Sequence, residues 1–140
     1  MKAAIYIRVS RPDEREILEN QRKAALEYVR VRGWELHKVY EDVVSGGKTE
    51  RPGMSALQDD ARARRFKIVI FTALSRMTRG GVEAALHILN QLKSNDVGWH
   101  FVEQPSLNYD DNTSQLAKEI LLGVLSAVDK DYRRNISQKT

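Results

Sequence analysis

The chain has 140 residues, enough for one domain with a real core. Hydrophobic residues make up 41% and charged residues 30%, ordinary for a soluble globular protein; no apolar run is of membrane-spanning length and no signal-peptide pattern opens the chain, so the cytoplasm is the expected location. The lack of cysteine excludes disulfides, thiolate zinc sites and cysteine nucleophiles, while a net charge of +4 is compatible with a polyanionic partner without demanding one.

The apolar run Ala3, Ala4, Ile5, Tyr6, Ile7 and Val9 predicts a buried strand over about residues 2–10, stopped by Arg11-Pro12. Side chains alternate along a strand, so Arg8 and Ser10 share one face at its carboxyl end. A helix follows over about 13–32, with Ile17, Leu18, Gln21, Ala25, Tyr28 and Val29 on one stripe and Gly33 as its C′ residue. The second strand is expected over about 34–41. The second helix follows Arg51-Pro52-Gly53 and buries Met54, Leu57 and Ala61. Ile68-Val69-Ile70-Phe71 is a continuous apolar run suited to a central strand. A third helix uses Val82, Ala85, Leu86, Leu89 and Leu92, and a fourth strand runs over Gly98–Val102. Alternating strands and helices predict an α/β fold: a mostly parallel sheet of about four to five strands, flanked by helices.

From about Thr113 to 138 the pattern predicts one long helix, with Thr113 or Ser114 as its N-cap. Leu116, Ile120, Leu121, Val124, Leu125, Val128, Tyr132 and Ile136 form its apolar side; the first half, Ile120 to Val128, is wider than a lone surface helix needs, and the second half is highly charged. Such a helix packs on a second subunit, on its own sheet, or on both. Two basic clusters stand out: Arg62, Arg64, Arg65 and Lys67, then Lys130, Arg133, Arg134 and Lys139. A solvated helix face accounts for either as well as DNA does.

A hydroxyl beside a guanidinium at the carboxyl end of a strand suits attack on a phosphate. A strand-ending serine next to a surface arginine is the bland alternative. Negative charge gathers on the non-bridging oxygens in such a reaction and calls for several cationic donors. Arg8 is one. Arg76 and Arg79 are three apart, so a helical turn would place them on one face. Arg51 follows the Ser45-Gly46-Gly47 loop, which can close over a phosphate, and Gln21 can bind a phosphate or orient Arg8. The histidines His37, His87 and His100 show neither a triad pattern nor metal-ligand spacing.

Taken in order, Tyr6-Ile7-Arg8-Val9-Ser10, Gln21, Asp42, Ser45-Gly46, Arg51-Pro52-Gly53, Leu74-Ser75-Arg76-Met77-Thr78-Arg79 and a final helix with Ser126-Ala127-Val128 and Arg133 resemble the catalytic domain of the serine recombinases, the resolvase/invertase family. The resemblance covers essentially the whole chain. It implies that Ser10 forms a 5′-phosphoserine link to DNA, with Arg8, Gln21, Asp42, Ser45, Arg51, Arg76, Arg79 and Arg133 around it. It also implies double-stranded DNA as substrate, neither metal nor ATP as cofactor, and a homodimer that becomes a tetramer in the active complex. Arg133, Arg134 and Lys130 would lie along the DNA. Resolvases, invertases, large integrases and transposon recombinases share this domain.

Two positions depart from the family pattern. Ser75 stands where an aspartate is usual, and Tyr132-Arg133 replaces Glu-Arg. The family also carries a separate DNA-binding domain, expected downstream of this chain. Two competing functions remain. Asp42 and Glu103, near strand ends, with Asp110-Asp111 in a nearby loop, could hold magnesium in a nuclease-like phosphoryl-transfer domain. Loss of the carboxylate at Ser75 would instead fit a non-catalytic dimerisation module.

Overall fold

The computed structural model describes residues 1–43, 51–77, 81–124, 126 and 127. Its elements, in chain order, are β1 (Lys2–Val9), α1 (Arg15–Val31), β2 (Glu35–Val43), α2 (Pro52–Arg62), β3 (Ile68–Phe71), a 3₁₀ turn (Leu74–Arg76), α3 (Gly81–Ser94), β4 (Gly98–Phe101) and a second 3₁₀ turn (Pro105–Leu107). The four strands form one parallel sheet in the order β2-β1-β3-β4. This is the expected α/β architecture.

Alternation along β1 divides the core. Ile5, Ile7 and Val9 face α1 and meet Leu18, Ala25 and Val29. Tyr6 faces the other layer, where Met54, Leu57 and Ala61 of α2 and Ala85, Leu89 and Leu92 of α3 close over Val69 and Phe71. Both faces of the sheet are therefore covered, which is why β1 and β3 read as nearly continuous apolar runs.

The ends of α1 follow from local chemistry. Arg11–Glu14 forms a turn closed by the Glu14 amide on the Arg11 carbonyl at 3.1 Å, with Pro12 at its second position, so the helix begins at Arg15 rather than near residue 13. At the other end Gly33 has φ +70°, and the amides of Gly33 and Trp34 return to the carbonyls of Arg30 and Val29. That pair of bonds is a Schellman cap, which needs a left-handed residue at Gly33. Ile17, expected on the buried stripe of α1, is instead 40% exposed, because it faces a cavity that it lines with Gln21 and Arg76.

The second strand reaches Val43, two residues beyond the expected end, so Asp42 belongs to β2 and pairs in register with Arg8 of β1. Pro52 opens α2 at a position where its missing N–H costs nothing. Residues 115–124, 126 and 127 are helical, and Ser114 is the cap: its Oγ accepts from the Ala117 amide at 3.2 Å. The continuation of this helix towards residue 138 lies outside the described residues.

Candidate active site

In the order β2-β1-β3-β4 the chain turns from one side of β1 to the other. The carboxyl ends of β1 and β3 thus flank a topological switch point, the usual place for a ligand in an open α/β sheet. The two strands differ in length. Their pairing stops at Tyr6 with Phe71, while β1 pairs with β2 as far as Val9. In a parallel ladder the N–H and C=O of one residue point to the same neighbour. The main-chain groups of Arg8 therefore face the place where β3 has already ended.

Gln21 of α1 fills that role. Its Oε1 accepts from the Arg8 amide at 3.1 Å, and its Nε2 donates to the Arg8 carbonyl at 3.0 Å. One buried side-chain amide thus replaces two ladder bonds, which an isolated β1 end would leave unsatisfied at a cost of about 1–3 kcal/mol per group. Ser10, two residues on, repeats the geometry: its amide donates to Glu14 Oε1 at 3.2 Å. The opening between β1 and β3 is thereby kept clear of a strand.

Arg8 is buried, with 4% of its surface exposed, and its Nη2 donates to the Ser75 carbonyl at 3.0 Å. The contact comes from the main chain of the 3₁₀ turn, so the serine side chain at position 75, itself exposed, does not decide it. Met77, fully buried, anchors the end of that turn.

On the other side of β1, Tyr6, Asp42 and the start of α2 form one unit. The Asp42 carboxylate accepts from the Tyr6 hydroxyl at 2.7 Å and from the amides of Gly53 and Met54 at 2.7 and 2.9 Å. It caps α2 from a neighbouring strand and sets the position of Arg51, the residue just before the helix. The approach is close: a Cβ on Gly53 would meet the Glu41 carbonyl at 2.5 Å. Burial, then the hydrogen bond to Asp42, then its charge hold the Tyr6 phenol far above its usual pKa, while Arg51 and Arg8 pull it down. Both guanidinium groups therefore act on the same Tyr6 phenol.

Arg76 lines a cavity of about 290 Å³ with Gln21, Asn20, Thr72, Glu103 and three apolar side chains. The Thr72 hydroxyl is buried there without a hydrogen-bond partner among the described residues. The site thus brings together Arg8, Ser10, Gln21, Asp42, Arg51 and Arg76. Ser45, Arg79, Lys130, Arg133 and Arg134 lie outside the described residues. Sequence reading missed Tyr6, Glu14 and the Ser75 carbonyl. Tyr6 was open to detection, since it shares the alternating face of Arg8 and Ser10; the other two had no sequence signal.

The acidic residues weighed as a metal site do not converge. Asp42 spends its carboxylate on three donors. Asp110 and Asp111 line a cavity of about 520 Å³ with Met1, Ile68 and Gly98, at the amino ends of the strands and hence the opposite edge of the sheet. Among the described residues no group of three His, Asp or Glu side chains is placed to hold a metal ion. His100 lies between the Tyr28 hydroxyl and the Asp110 carboxylate, 2.6 Å from each. No helix among the described residues is long and apolar enough to cross a membrane.

Comparison with known proteins agrees with this geometry. No curated protein matches the sequence. Among solved structures, the N-terminal catalytic domain of TP901-1 integrase is 27% identical, with a TM-score of 0.72, over 96% of this chain and 98% of that one. A resolvase family site-specific recombinase from Streptococcus pneumoniae is 26% identical, with a TM-score of 0.74, over 99% and 92%. The C-terminal catalytic domain of ISC1926 TnpA, an IS607-like serine recombinase, is 27% identical, with a TM-score of 0.65, over 91% and 80%. The family profile described as "Resolvase, N terminal domain" matches residues 3–140, and on that match the chain belongs to the resolvase family.

Proposed function

We propose that this chain is the catalytic domain of a site-specific DNA recombinase that cuts and rejoins DNA through a phosphoserine on Ser10. The observation that carries this reading is the placement of Ser10 just past the end of β1, at the switch point, two residues from the buried Arg8 guanidinium. Ser10 Oγ attacks phosphorus and the bond to the 3′ oxygen breaks. The result is a 5′-phosphoserine ester and a 3′-hydroxyl. Attack of a 3′-hydroxyl on the ester reverses the step on a new partner. The ester conserves the phosphodiester bond, so joining needs no ATP.

Arg8, Arg51, Arg76 and Arg79 supply the positive charge that gathers around the phosphate, in place of a metal ion. Gln21 and Asp42 work on the protein side: Gln21 fixes the main chain of Arg8, and Asp42 fixes the helix that follows Arg51. Ser45 joins the arginines at the phosphate, and Lys130, Arg133 and Arg134 contact the DNA backbone. The terminal helix supports assembly. Leu116, Ile120 and Val124, each four residues apart, are 68%, 60% and 48% exposed, while Leu121 and Leu122 pack on the core. A second copy of the chain covers that outer stripe in a dimer, and dimers pair into a tetramer around two duplexes. The substrate in the cytoplasm is double-stranded DNA.

The test is covalent capture. The protein is incubated in excess EDTA with a nicked duplex carrying its recombination site, then denatured. A protein–DNA adduct is expected, and none with Ser10→Ala. An adduct that persists in Ser10→Ala overturns the nucleophile. Cleavage that disappears in EDTA and returns with magnesium, at unchanged DNA binding, establishes the nuclease alternative instead.

A further inference from the structure

We infer that Glu14 is the positioning residue for Ser10, holding its main chain so that the hydroxyl faces the phosphate; the inference rests on the phosphoserine reading. Three observations converge on it. First, strand pairing cannot do the work. The last β1–β2 pair is Val9 with Val43, and β3 has ended three residues earlier along β1. Ser10 lies beyond both ladders.

Second, the Glu14 carboxylate accepts from the Ser10 amide at 3.2 Å, as Gln21 does from the Arg8 amide. Glu14 is the residue just before α1 and Gln21 lies within it. The start of α1 and its second turn thus hold the chain at Ser10 and at Arg8. These are the two residues of the β1 face that carry the chemistry.

Third, the carboxylate is itself held. Its side chain is only 16% exposed, and the turn from Arg11 to Glu14 returns the Glu14 amide to the Arg11 carbonyl. Arg11 Nε lies 3.9 Å from Oε1. A restrained acceptor of this kind converts a chain end that would otherwise rotate freely into one fixed orientation. Misplacing a reacting group by about 1 Å can cost about a hundredfold in rate.

The needed property is a hydrogen-bond acceptor, not a negative charge. That separates a positioning role from proton transfer. Glutamine keeps an oxygen at the same place, and alanine keeps none. The rate of adduct formation is measured in single turnover for the wild type, Glu14→Ala and Glu14→Gln. DNA affinity and thermal melting are followed for each. Glu14→Ala is expected to form adduct about a hundredfold more slowly at unchanged affinity, and Glu14→Gln to restore most of the rate with the pH profile of the wild type.

A second measurement does not depend on activity. The Ser10 amide resonance should move as the Glu14 carboxylate titrates in the wild type and stay still in Glu14→Gln. This keeps the test sharp if Glu14→Ala fails to fold. Equal slowing in Glu14→Gln and Glu14→Ala overturns the inference in favour of a charge-dependent role. A Ser10 amide indifferent to that titration, or full speed in Glu14→Ala, overturns it outright. If the wild type forms no adduct at all, the phosphoserine reading fails, and that outcome is distinct because the amide titration still reports on the bond.

Discussion

The two edges of the sheet differ in a way that size alone would misjudge. The larger hollow, about 520 Å³, is at the amino edge, lined by Lys67, Lys93 and Lys118 with Asp96, Asp110 and Asp111. At the carboxyl edge the cavity beside Arg76 holds about 290 Å³. Yet of the five buried polar or charged residues among those described, Arg8, Gln21, Asp42 and Thr72 belong to the carboxyl edge, and His100 does not. Burying polar groups is expensive, and a fold retains them where they hold something in place. The amino edge is a surface hollow between charged side chains, with its acids turned to local contacts. Asp110 serves His100 and the loop around Asn112 and Thr113. At the carboxyl edge Gln21, Asp42 and Arg8 bond to main chain around an opening.

If that distinction is correct, substitutions at the two edges separate activity from stability. Arg8→Lys tests the carboxyl edge most severely. A lysine lacks the planar fork that can hold two phosphate oxygens and still reach the Ser75 carbonyl. Adduct formation should fall by the equivalent of roughly 3–4 kcal/mol of barrier. Cleavage within a few-fold of wild type in a folded Arg8→Lys variant would remove Arg8 from the site.

Asp42→Ala comes next and reads out differently. It strands the Tyr6 hydroxyl and the amides of Gly53 and Met54, three donors at about 1 kcal/mol each, so a loss of about 3 kcal/mol in denaturant unfolding is expected. Activity should suffer through Arg51, whose helix is no longer anchored. A variant with unchanged midpoint and slope would show that Asp42 does not organise α2.

The smallest effect belongs to the amino edge. Burial pushes the Asp110 carboxyl up, but hydrogen bonds from His100, Asn112 and Thr113, with the charge of His100, outweigh it and hold the pKa below the usual aspartate range. A depressed carboxylate stabilises the fold above its unfolded pKa, and that contribution disappears as pH falls through the lower folded value. Asp110→Asn should therefore melt below the wild type at neutral pH, and the gap should close on acidification beneath the aspartate range. Adduct formation, measured at neutral pH and normalised to folded protein, should not change. A gap that widens in acid would reverse the sign of this assignment.

Much of the fold was legible because its signals are local. Alternation in Ala3–Val9, the apolar run Ile68–Phe71 and the spacing of Met54, Leu57 and Ala61 each depend on a few neighbouring residues. Gly33 marked the end of α1 for the same reason: the left-handed φ of a Schellman cap selects glycine. The face shared by Arg8 and Ser10 came from strand geometry alone. The roles within the site came from elsewhere. Gln21 replaces a strand only because β3 stops opposite Tyr6. Asp42 caps a helix that begins ten residues later, and the Ser75 carbonyl reaches Arg8 across 67 positions of sequence. Glu14 has work to do only because Ser10 falls beyond both ladders. Periodicity reports which way a side chain points, and it does so residue by residue. Where a neighbouring strand ends, and which main-chain groups it leaves to be satisfied, is settled only when distant segments pack together.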